Sequence, residues 1–150
     1  MSFQEKNFAV TLVNFTLILG YYVIRVLQMI SDATFNKDNM LHLWLVIIIW
    51  AVVVTILATI LTHIVIAIIE AIKTKKEPVM KDISDERDKL IDLKGIKVTN
   101  MVSSLGAFAA MLTFAFDMPA LVMFTLLIFF GLLAQIGGDI TRIFLYRRGF

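Results

Sequence analysis

The chain of 150 residues contains no cysteine, two prolines and seven glycines. Without cysteine there are no disulfides, thiolate zinc sites, iron–sulfur clusters or C-x-x-C-H haem attachments. So little glycine and proline excludes collagen-like and low-complexity compositions. Charge is scarce as well: 17% of residues are charged, against about 25% in an ordinary soluble domain. Gly-rich phosphate loops, a nucleophile–base set and a basic-aromatic strip for nucleic acid are all missing. What fills the chain is apolar: 59% of residues are hydrophobic, more than a water-soluble fold of this length hides.

The 26 charges are not spread evenly, because 14 of them fall between residues 73 and 97. Residues 8–71 hold only Arg25, Asp32, Lys37, Asp38 and Glu70. A bilayer core about 30 Å thick needs about 20 apolar helical residues. Four such spans are predicted, at about 8–30, 41–71, 97–116 and 118–145, with a loop at 72–96. Spans this apolar must be helices, since every backbone polar group has to be satisfied internally. The expected fold is all-α: a single transmembrane domain over 1–150, a four-helix bundle of two helical hairpins. Nothing at the N-terminus resembles a cleavable signal, so the first span is expected to remain as an anchor.

Lys and Arg set the expected orientation. Lys6, eight residues between 73 and 97, and Arg142, Arg147 and Arg148 lie on one side, with Lys37 alone on the other. By the positive-inside rule, both termini and the loop are expected in the cytoplasm of a multi-pass plasma (inner) membrane protein. In the turn before span four, Asp117 is expected to cap the helix with Pro119 in its first turn. Ser84 can cap an amphipathic cytoplasmic helix ahead of span three, with Asp85, Glu86 and Asp88 in its first turn. Gly95 is the expected bend into the span, a continuous helix being the alternative.

The run D-E-R-D-K-L-I-D-L-K at 85–94 includes Asp85, Glu86, Arg87, Asp88 and Lys94. It resembles a juxtamembrane motif of a family of small, uncharacterised prokaryotic membrane proteins, over roughly residues 84–110. The resemblance implies a prokaryotic membrane protein and carries no activity.

Asp85, Asp88 and Asp92 recur at helical spacing and would share one face. A divalent-metal or lipid-phosphate site is one reading. A solvated helix with ion pairs such as Asp85–Lys89 outweighs it, because the full spacing of an acidic phosphotransferase motif is absent.

Within the spans, Arg25 is the costliest group, at roughly 2.5–3.5 kcal/mol if it sat at the membrane centre. Its place in the last turns of span one lets it snorkel outward or form an ion pair with Asp117, Asp32 or Asp38. His63 and Glu70 on span two, with Gln135, Asp139 and Arg142 on span four, would line a polar path for protons or cations. Pairing of Glu70 and Asp139 with Arg142 or Lys73 at headgroup level is the simpler account. His42 and His63 are 21 residues apart, roughly 30 Å along one helix, so they cannot clamp one haem together.

Small residues mark expected packing faces: Ser103, Gly106, Ala107 and Ala110 on span three, and Gly131, Ala134 and Gly138 on span four. Their simplest use is between these two helices, a homodimer seam being the other. No cofactor or metal is expected. The bilayer and another membrane protein, or a second copy of the chain, are the expected partners, and nucleic acid is not. These features point to a non-catalytic accessory, regulatory or immunity-like protein working through helix–helix contacts. The alternative is a homo-oligomeric small channel or proton-coupled transporter.

Overall fold

Long apolar stretches free of proline leave a helix as the state that satisfies the backbone, and a computed structural model contains four: α1 (Phe3–Ser31), α2 (Lys37–Thr74), α3 (Glu86–Ala115) and α4 (Ala120–Arg148). It describes residues 3–74 and 86–148. All four are long and apolar enough to cross a membrane. With 38 residues, α2 runs roughly 57 Å at 1.5 Å per residue, well beyond a bilayer core.

Each short connection closes one helix before opening the next. At the end of α1, Ala33 takes a left-handed φ of 54°, and the Thr34 amide reaches back to the Met29 carbonyl at 2.8 Å. That is the 6→1 closure of a Schellman motif. Asn36 then opens α2, its Oδ1 accepting from the Asn39 amide at 2.9 Å. The second turn repeats the closure. Asp117 has φ 58°, and the Met118 amide donates to Thr113 O at 3.1 Å. Asp117 therefore ends α3 and does not cap α4, as its sequence position suggests. Pro119 stands just before α4, its carbonyl accepting from the Val122 amide at 2.8 Å.

Packing places α4 in the middle. Its most extensive interface is with α3, its next with α1; α1 also packs on α2, which touches α4 lightly. Ile18, Tyr22 and Met29 of α1 join Met40, Leu43 and Ile47 of α2 and Leu132 of α4 in one buried cluster. Within it the Tyr22 hydroxyl donates to the Thr125 carbonyl of α4 at 2.7 Å. The Asn14 amide donates to Thr55 Oγ1 of α2 at 3.1 Å.

The stretch before span three is not a separate cytoplasmic helix. From Glu86 onward it forms the first turns of α3, which runs through Gly95 without a break. Gly95 instead lies directly against the Arg142 side chain of α4, which a Cβ at this position would strike. Ser84 and Asp85, expected to start such a helix, lie outside the described residues.

Candidate functional site

On α3, Asp88, Asp92, Gly95 and Thr99 recur every three or four residues and so share one face. On α4, Asp139, Arg142 and Tyr146 do the same. Where these faces meet, a charged node joins three helices. Arg142 is its centre. Nε of Arg142 donates to Asp92 Oδ1 at 2.8 Å, and NH1 donates to Asp139 Oδ1 at 2.9 Å. The guanidinium carbon stands 5.0 Å from the centroid of the Phe8 ring on α1, within cation–π range.

Glycine makes room for this arrangement. A Cβ at Gly95 would come within 2.5 Å of Arg142 Cγ and Nε, and one at Gly138 would collide with Thr99 Oγ1. One turn further along, the Tyr146 hydroxyl donates to Asp88 Oδ1 at 2.8 Å, and its ring lies 6.2 Å from that of Phe8. Arg87 donates to the Tyr146 carbonyl at 3.5 Å. Arg147 Nε approaches Glu5 Oε1 at 3.6 Å, binding the start of α1 to the end of α4.

Asp139 is the most enclosed charge of the node, with 1% of its surface exposed. Its Oδ1 accepts from Arg142 and, at 3.4 Å, from Gln135. Its Oδ2 is buried without a hydrogen-bond partner. Thr11 of α1 stands beside the carboxyl, but its hydroxyl donates to the Phe8 carbonyl at 3.0 Å. Asn7 Oδ1, one turn earlier on α1, is also buried and without a partner.

A buried carboxylate–guanidinium pair is a poor source of stability relative to apolar packing, yet breaking one partner out of it costs about 3–5 kcal/mol. The node is thus suited to fixing how α1, α3 and α4 meet. Among the described residues no three of His, Asp or Glu are grouped to hold a metal ion.

The residues singled out from the sequence fall into three groups. Gln135, Asp139 and Arg142 come together, with Arg87 and Asp88 of the 85–94 run beside them. Glu86 and Lys94 lie exposed on the first turns of α3. His63 and Glu70, the other half of the expected polar path, lie outside the described side chains, as does Asp85.

Arg25 and Asp117 do not meet. NH1 of Arg25 donates to Gln28 Oε1 at 3.1 Å, and Asp117 is exposed in the α3–α4 turn. Arg25 faces the start of α2, where it lines a cavity with Asn39 and His42, whereas α1 shares no interface of note with α3.

The small residues also divide. Gly106, Ala110, Ala134 and Gly138 are buried, and a Cβ at Gly106 would strike the Phe130 side chain. Ala107 is half-buried, while Ser103 and Gly131 are exposed.

Sequence reasoning did not find the roles of Tyr146, Phe8 or Gly95. The signal for Gly95 was its place three residues after Asp92 and four before Thr99, on the face that carries Asp88. Tyr146 likewise stands four residues after Arg142, on the face that carries Asp139, whereas Phe8 carries no such mark. No family model matches the chain, and no curated protein or solved structure is similar to it.

Proposed function

We propose that the chain is a four-span protein of a prokaryotic inner membrane, with both termini and the connection between α2 and α3 in the cytoplasm. It acts without catalysis, as an accessory, regulatory or immunity-like protein working through helix–helix contacts. Large apolar side chains such as Ile49, Ile56 and Leu61 on α2 and Met101 and Leu105 on α3 stand half or more exposed. A monomer in water does not carry surface of that kind over its whole length.

The observation that carries the non-catalytic reading is the use of Arg142. Its guanidinium is committed to Asp92, Asp139 and the Phe8 ring, and the carboxylate of Asp88 to Tyr146. The charges of the node are engaged with one another and hold helices together. Ser103 on α3, Gly131 on α4 and Gly20 on α1 are exposed small positions that let a further helix approach. The test is the intact mass of the complex after gentle extraction from native membrane. A second, different chain at fixed stoichiometry is expected.

A second reading, a homo-oligomeric channel or proton-coupled transporter, is favoured by one observation. Asp139 Oδ2 is buried without a hydrogen-bond partner, and intramembrane carboxylates of that sort mark ion pathways. A complex mass that is a simple multiple of 17.0 kDa, with liposome flux abolished by Asp139→Asn, would establish it over the first.

A further inference from the structure

The opposite end of the molecule holds a polar cavity that the charged node does not account for. Arg25 stands six residues before the end of α1, and His42 five residues after the start of α2. At 1.5 Å per residue, both lie roughly 8–9 Å inside the α1–α2 turn. With Gln28, Asp32 and Asn39 they line a cavity of about 200 Å³ against the buried Met29. Beside the lining residues in sequence, Ile24 on α1 and Leu45 on α2 are exposed apolar side chains.

The cavity holds one charge of each sign, and the two are not paired with each other. Among the described residues neither Arg25 nor Asp32 is in an ion pair. Arg25 spends one of its donors on Gln28 and has the rest of its planar fork to offer. That fork matches a phosphate or carboxylate better than any other oxygen group. A guanidinium a turn and a half from the end of an apolar helix is costly without such a partner.

We infer that this cavity binds a phospholipid headgroup, with the phosphate between Arg25 and His42 and a headgroup ammonium at Asp32. This rests on the membrane-spanning reading above. A lone phosphate would meet the repulsion of Asp32, whereas a zwitterionic headgroup satisfies both signs. The exposed Ile24 and Leu45 suit the acyl chains of the same molecule. The matching depth of Arg25 and His42 puts the polar groups where a headgroup begins.

The experiment is native mass spectrometry of the full chain in micelles doped with phosphatidylethanolamine or with phosphatidylglycerol. Wild type is expected to retain one phosphatidylethanolamine per chain. Arg25→Gln should cut that population about tenfold, and Arg25→Lys, which keeps charge without the fork, should cut it less. Asp32→Asn should lower phosphatidylethanolamine retention and spare phosphatidylglycerol, and Arg148→Gln at the far end should change neither. Equal retention by wild type and both Arg25 variants overturns the inference. Binding of inorganic phosphate with no retained lipid overturns the lipid assignment. Release of wild type from membranes by an alkaline carbonate wash is a separate result, and it would overturn the membrane-spanning reading itself.

Discussion

The Tyr146 hydroxyl donates to Asp88 Oδ1 across 2.8 Å, so the last turn of α4 is bonded to the first turn of α3. Fifty-eight residues separate the two in the chain. A hydrogen bond to a charged acceptor contributes about 1.5–3 kcal/mol. Tyr146→Phe should therefore destabilise the protein by about that amount, less what Asp88 recovers from water because it is only half-buried. In a double-mutant cycle Asp88→Asn and Tyr146→Phe should be clearly non-additive. Additive losses in thermal unfolding would show that the two groups do not act together.

Arg142 should be the most sensitive position of the node. Arg142→Gln strips the buried Asp139 of its cation and is expected to cost about 3–5 kcal/mol. Asp92 is 46% exposed at its side chain, so Asp92→Asn should cost no more than about 1 kcal/mol. The check is the order of unfolding midpoints in detergent, with Arg142→Gln lowest and Asp92→Asn close to wild type. A reversed order would mean the pair with Asp139 does not hold the helices.

Glycines should separate into two classes under alanine substitution. Gly95→Ala and Gly106→Ala force the Arg142 and Phe130 side chains to move, and Gly138→Ala meets Thr99 and the Gly95 carbonyl. All three should lower the midpoint. Gly131→Ala meets nothing within 4 Å, and it should stabilise the isolated chain by up to about 1 kcal/mol through helix propensity alone. If Gly131 lies under a partner helix, the same substitution should weaken the complex while the single chain gains stability.

The two turns allow a conformational test. Ala33 holds a left-handed φ of 54°, so Ala33→Gly is expected to stabilise by roughly 0.5–1 kcal/mol. Asp117 is exposed and bonded to no cation among the described residues. Asp117→Asn should leave the midpoint unchanged, because Asn tolerates the same φ. A substantial drop would reinstate an electrostatic role for Asp117.

Much of this architecture is legible from hydropathy. Each expected span coincides with most of one helix, because an uninterrupted apolar run has few other ways to satisfy its backbone, but the third overruns α3 by one residue and the fourth starts two residues before α4. The helix ends were harder to place. Asp117 followed by Pro119 looks like the opening of a helix, but a Schellman closure uses its left-handed residue to end the previous one, and Asp serves both positions. Gly95 looked like a hinge because glycine lacks intrinsic helix preference. Whether glycine bends a helix or admits a neighbour depends on what lies opposite, and Arg142 is 47 residues away in sequence. The same limit applies to Arg25. Carboxylates are its obvious partners by charge, yet its guanidinium bonds to Gln28 one turn along the same helix.

The central place of α4 has a consequence for biogenesis. Since α4 follows the other three helices in the chain, α1 and α3 are synthesised before the element that joins them exists. Until Arg142 arrives, Asp92 has no guanidinium and Phe8 no cation. The contacts that tie α1 and α3 to the node can therefore form only once the last helix is made.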